Sequence, residues 1–110
     1  MKVLEELYAV ALERKKDPVE GSYTCYLFEQ GLDKILKKVG EECAETIIAA
    51  KNAGEAGQGE LTQELCDLLY HLLVLMAQQG LPLADVEREL ERRRAKIGNL
   101  KKKHPSDHNS

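Results

Sequence analysis

Tryptophan is absent from this 110-residue chain and phenylalanine occurs once, leaving aromatic residues at 5%. That scarcity argues against a β-rich fold and against a binder that stacks bases on aromatic platforms. No apolar run reaches the roughly 18 residues of a membrane span, and the N-terminal MKVLEELYAV is charged. Neither a membrane span nor a signal peptide is expected. Cysteine is limited to Cys25, Cys43 and Cys66, odd in number and without a CxxC spacing. That usage fits a reducing cytoplasm better than a disulfide framework. Positive charge is also short: a net charge of −3 offers no electrostatic footprint for nucleic acid.

The chain does contain 43% hydrophobic and 32% charged residues, the composition of one globular domain with a modest core. Val3, Leu4, Leu7, Ala11 and Leu12 recur at helical spacing, predicting a helix from residue 2 to about 16. Arg14, Lys15 and Lys16 close it and suit the dipole of a last turn; Asp17-Pro18 ends it. Residues 17–31 read as a linker with a short apolar run, Tyr23 to Phe28, which is either a turn of helix or an ordered loop. Ser22 and Thr24 are placed to cap a following helix or to hold a phosphate oxygen, with capping the default.

A second long helix is predicted from Leu32 to about Asn52, with Leu32, Leu36, Val39, Cys43, Ile47 and Ala50 on one apolar stripe. Cys43 is thereby assigned to the core, and Glu42 and Glu45 to the flank of the stripe. Lys38, four residues before Glu42, is spaced to pair with it or to face an anionic ligand. The next helix, Glu60 to Gln79, is apolar nearly all round, the mark of a segment covered on most sides. Gly80-Leu81-Pro82 breaks the chain before a basic helix with a thin stripe, Leu83, Val86, Leu90 and Ile97, alongside Arg92, Arg93 and Arg94. The domain is read as residues 1–97, and 98–110 as a disordered polar tail in which His104 and His108 are too isolated to bind metal.

The chemistry concentrates between Lys37 and His71. Two carboxylate pairs share one spacing, Glu42/Glu45 and Glu64/Asp67, with Glu41 beside the first. Residues three apart lie on one helix face, so each pair can present two carboxylates to a single point. A glycine-bearing turn, Gly54 to Gly59, lies between them, and folding back would make four or five carboxylates converge. Ionised carboxylates in apolar surroundings are costly unless paired with a base or bound to a metal. Solvated surface and an internal Lys/Arg network are the competing readings; a metal site accounts best for acidic residues interrupting so apolar a helix. His71, at i+4 from Asp67, is read as a core histidine hydrogen-bonded to a carboxylate and supporting the site, not as a ligand.

An all-carboxylate set is hard and anionic, which favours Mg²⁺, with Mn²⁺ as substitute, over zinc. Mg²⁺ shares its shell with phosphates, so a di- or triphosphate compound is the natural substrate class, and Glu41 or Glu45 is available to accept a proton from attacking water. Di-iron chemistry would want Glu-x-x-His on two helices, which the chain lacks.

Glu-Glu-x-x-Glu, a gap of 18 residues, then Glu-x-x-Asp resembles the signature of the all-α, MazG-like nucleoside-triphosphate pyrophosphohydrolases. Residues 22–51 and 67–90, with Glu13-Arg14-Lys15, more closely resemble the phosphoribosyl-ATP pyrophosphatase family of histidine biosynthesis, over roughly residues 1 to 95. The resemblance implies hydrolysis of the α–β phosphoanhydride of 1-(5-phosphoribosyl)-ATP. It implies Glu42, Glu45, Glu64 and Asp67 as metal ligands, with Glu41 in or near the shell. Lys38, Thr24 and Arg14 or Lys15 are implied as phosphate-side contacts, and Arg93 as a weaker one. It also implies an all-helical, four-to-five-helix antiparallel bundle completed by homodimerisation, here without the cyclohydrolase segment fused in many organisms. Cys43 replaces a commonly small residue and, as a core residue, is expected to leave the chemistry alone. A house-cleaning (d)NTP pyrophosphatase and a non-catalytic helical dimer are the alternatives.

Overall fold

A computed structural model of the chain describes residues 1–52, 54 and 58–98. Within them the chain is all-α: α1 (Lys2–Lys16), α2 (Tyr23–Gln30), α3 (Leu32–Lys51), α4 (Gln58–Gln79) and α5 (Leu83–Gly98). The expected tail disorder and most of the turn before α4 lie outside the described residues.

Residues 23–30, ambiguous in sequence, form a helix because both ends are fixed. The Ser22 side chain accepts from the Cys25 amide at 3.2 Å, the capping role expected of it. At the other end Gly31 adopts φ 94°, a conformation that glycine reaches without penalty, and the chain turns directly from α2 into α3. Lys15, in the basic last turn of α1, donates to the carbonyls of Ala77 and Gln78 at 3.2 Å each. It thus satisfies carbonyls that the end of α4 leaves without intrahelical partners.

α3 and α4 form the central hairpin. Ile35 clusters with Val74, Glu42 lies against Glu64 and Asp67, and Thr46 Oγ1 reaches the Glu64 carbonyl. Partner numbers fall on α4 as they rise on α3, so the two helices run antiparallel. Leu27 of α2 joins Ile35 and Val74 in the fully buried cluster, flanked by Phe28, Tyr70 and Leu75. The core is therefore small and sits at one end of the hairpin, while the carboxylates occupy its middle. α5 is tied on mainly at its start, where Leu83 is buried and Tyr8 Oη donates to the Leu81 carbonyl at 2.7 Å.

The stripe assigned to the core on α3 is not the buried one. The buried face carries Ile35, Glu42 and Ala49, spaced seven apart, whereas Leu36 is 46% and Ile47 64% exposed. Cys43 is also exposed, correcting its assignment to the core. The wheel located an apolar stripe correctly but not the side on which α4 would pack. Glu42, expected on the flank, stands at the centre of the α3–α4 contact and is buried.

Candidate functional site

One carboxylate oxygen from each of Glu42, Glu64 and Asp67 lies within 4.8 Å of the other two. The sequence spacing accounts for half of this, because Glu64 and Asp67 sit one turn apart on α4. The other half is the hairpin register, which brings Glu42 opposite them. Thr46 fastens that register: its hydroxyl donates to the Glu42 carbonyl at 2.7 Å and also lies 3.4 Å from the Glu64 carbonyl.

The electrostatics are those of a cluster short of positive charge. Oε2 of Glu42 and Oε2 of Glu64 are buried and have no hydrogen-bond partner among the described residues. Buried polar atoms are nearly always satisfied, so two orphaned carboxylate oxygens call for an explanation. Burial, and then the Glu45, Glu42 and Asp67 carboxyls, push Glu64 up to about 7. Burial and then Glu45 likewise raise Glu42, with Asp67 adding to the effect and His71 opposing it. Among the described residues Lys38 is the one Lys or Arg that pairs with the cluster's edge, 3.2 Å from Glu41 and 3.7 Å from Glu42 Oε1. Among the described residues no Lys or Arg pairs with Glu45, Glu64 or Asp67, so an internal ion-pair network does not account for them. Three converging carboxylates with two unsatisfied oxygens fit a hard divalent cation in donor type and in charge.

Glu45 is exposed and outside the three-oxygen group, yet close enough to raise both Glu42 and Glu64. Glu41 points to Lys38, which holds its carboxyl below the usual range. His71 is buried, but its Nδ1 lies 2.7 Å from the backbone carbonyl of Asp67, where a carboxylate partner had been expected. Helical i,i+4 geometry brings the ring over that carbonyl. A carbonyl only accepts, so Nδ1 carries the hydrogen, and in the neutral ring Nε2 accepts from the Tyr23 hydroxyl at 2.9 Å. Thr24 is buried and its hydroxyl bonds Tyr70 Oη, pinning α2 to α4.

Arg14 and Lys15 line a cavity of ≈ 1020 Å³ between the end of α1, the 18–22 loop and α2. Arg93 is elsewhere: it is exposed on α5, 4.0 Å from Glu89, beside clefts that contain none of the acidic cluster. Tyr23, Tyr70 and Thr46 escaped the sequence reading as site residues. For Tyr23 the only signal was its place between Ser22 and Thr24; for Thr46 there was none, since its partner is a backbone carbonyl of another helix.

Comparison with known proteins meets this geometry. Residues 4–94 match the family model described as phosphoribosyl-ATP pyrophosphohydrolase. The chain is 57% identical over 99 residues to a phosphoribosyl-ATP pyrophosphatase of Clostridium botulinum strain Hall, covering 90% of this chain and 87% of that one. It is 51% identical over 106 residues to the protein of that name from Streptococcus sanguinis, covering 96% and 99%. To the protein of that name from Listeria welshimeri it is 54% identical over 99 residues, covering 90% and 92%.

Proposed function

Since the chain belongs to the phosphoribosyl-ATP pyrophosphohydrolase family, we propose that it hydrolyses 1-(5-phosphoribosyl)-ATP. The products are 1-(5-phosphoribosyl)-AMP and pyrophosphate, the second step of L-histidine biosynthesis. The single structural observation that supports this best is the trio Glu42, Glu64 and Asp67 with two orphaned oxygens.

In this reading Glu42, Glu64 and Asp67 hold Mg²⁺, or Mn²⁺ in its place, with Glu45 completing the set. The bound cation supplies neutralisation of the pyrophosphate charge and acidification of water. Glu45, which has no basic partner among the described residues, accepts the proton of the attacking water; Glu41 is tied to Lys38, which holds its carboxyl below the usual range. Lys38, at the edge of the cluster, donates to phosphate oxygens. His71 and Tyr23 do not touch the reacting atoms: they fix the Asp67 turn through its carbonyl.

A second copy of the chain covers the apolar face that α3 and α4 expose through Leu36, Ile47, Ile48, Leu65 and Leu69. No helix among the described residues is long and apolar enough to cross a membrane, and the reading places the reaction in the cytoplasm. Incubation with phosphoribosyl-ATP and Mg²⁺ should release stoichiometric pyrophosphate. Faster turnover of free (d)NTPs would favour the house-cleaning alternative, since the cluster itself recognises only the triphosphate end.

A further inference from the structure

α2 meets α4 through two consecutive side chains on each helix. Tyr23 Oη bonds His71 Nε2 at 2.9 Å, and the next residue, Thr24, bonds Tyr70, the residue before His71. The first bond leads to the acidic cluster, because His71 Nδ1 donates to the Asp67 carbonyl at 2.7 Å. The second ends on Tyr70, whose ring packs against the buried Leu27, Ile35 and Val74.

Resemblance counts Thr24 among the phosphate contacts, but its surroundings suit another task. The residue is 7% exposed and its hydroxyl is engaged by Tyr70. Turning that hydroxyl to a phosphate would break a bond that joins two helices.

A helix held by one hydrogen bond can roll about it. Neighbouring residues project about 100° apart on a helix, so Tyr23 and Thr24 grip α4 from two directions. With both bonds in place α2 neither rolls nor slides along α4. Tyr23 needs that restraint, since it is 47% exposed and burial does little to hold its hydroxyl on the imidazole.

The Tyr23 hydroxyl in turn matters for His71. A neutral imidazole carries one N–H, and the Asp67 carbonyl, an acceptor only, needs it on Nδ1. Donation from Tyr23 to Nε2 favours that tautomer. Edge-on contacts of the imidazole with the Tyr23 and Tyr70 rings, at 5.7 and 6.2 Å, add to its orientation.

Resting on the hydrolase reading, we propose that Thr24 and Tyr70 are positioning residues. Their bond fixes α2 so that Tyr23 keeps His71 on the Asp67 carbonyl and Asp67 keeps its place in the cation site. Thr24 thus acts through α4 and touches no phosphate.

The test uses the full-length protein, with thermal melts showing that each variant is folded. Tyr70→Phe keeps the ring and Thr24→Val keeps the shape, so each removes one hydroxyl, while Thr24→Ser retains it. In metal-free protein, nitrogen NMR of the His71 ring should report the Nδ1–H tautomer in wild type and a mixture in Tyr70→Phe and Thr24→Val. Mn²⁺, followed by EPR, should bind both variants roughly tenfold more weakly, the low end for lost support of a metal ligand. The double variant should lose no more than the worse single one, because both hydroxyls serve one bond. At limiting Mg²⁺, kcat for pyrophosphate release should fall with KM for phosphoribosyl-ATP within about twofold, and excess Mg²⁺ should recover most of it. Thr24→Ser should match wild type throughout. Should Thr24→Val unfold, Tyr70→Phe decides alone on the same readings.

A lower melting temperature with tautomer and Mn²⁺ affinity unmoved would reduce the pair to packing and overturn the assignment. So would a Thr24→Val variant whose KM rises while its Mn²⁺ affinity stays, the mark of a lost phosphate contact. No pyrophosphate from a wild type whose Mn²⁺ affinity still depends on both hydroxyls would sink the hydrolase reading and leave the positioning pair standing.

Discussion

Glu64 concentrates the conflict between folding and function in one side chain. Its carboxyl is raised from 4.5 to about 7, first by burial and then by three neighbouring carboxylates. Between those values the folded chain holds a proton that the unfolded chain has released. Stability of the metal-free protein should therefore fall as pH rises through that window and level off above it. Thermal melts across the window should show this slope in wild type and a flatter one in Glu64→Gln; identical slopes would refute it. A bound divalent cation needs the deprotonated ligand, so Mn²⁺ affinity should climb over the same window, with proton release seen by calorimetry in buffers of different ionisation enthalpy. Glu64→Gln should also cut pyrophosphate release by at least about 10–100-fold, the range seen when residues supporting a metal site are lost. Together these outcomes separate a metal site from a structural ion-pair network, where removing a carboxylate costs stability at every pH.

α2 shows how a short element is held by its neighbours. Eight residues are far too few for a helix to persist alone in water. Its cap at Ser22, the buried Leu27, the Thr24–Tyr70 bond and the Tyr23–His71 bond hold it against α3 and α4. Because α2 forms a wall of the cavity and carries Tyr23 to the acidic cluster, its fixation is a condition for the site's geometry. Ser22→Ala removes the side-chain acceptor and should cost about 1 kcal/mol, read from the urea midpoint at unchanged m-value. An unchanged midpoint would mean the tertiary bonds alone suffice.

For the molecule as a whole, α3 and α4 leave Leu36, Ile47, Ile48, Leu65 and Leu69 exposed, and the proposed second copy would cover them. Leu36, Cys43 and Ile47 continue one stripe, with Leu65 and Leu69 a turn apart on the neighbouring helix. Ile47, 64% exposed, separates the possibilities. On a lone chain Ile47→Asp should change stability by no more than about 0.5 kcal/mol. At an interface it buries a charge, so light scattering should show the wild-type dimer dissociating to chains of 12.4 kDa. A wild type already of that mass would exclude the dimer.

Helix positions, the all-α class and the paired carboxylates were legible because each is local: apolar periodicity, a proline or glycine at a boundary, and acidic residues one turn apart. Family membership follows from the same linear pattern. The tertiary structure decided which face of α3 is inside. Periodicity reveals that a stripe exists but not what covers it, and here the richest apolar stripe faces outward while Glu42 takes the centre. It also decided that α2 is helical, that His71 bonds a carbonyl and not a carboxylate, and that Arg14 shares a cavity with Tyr23. Those features depend on contacts between residues far apart in the chain, and no spacing along a single segment encodes them.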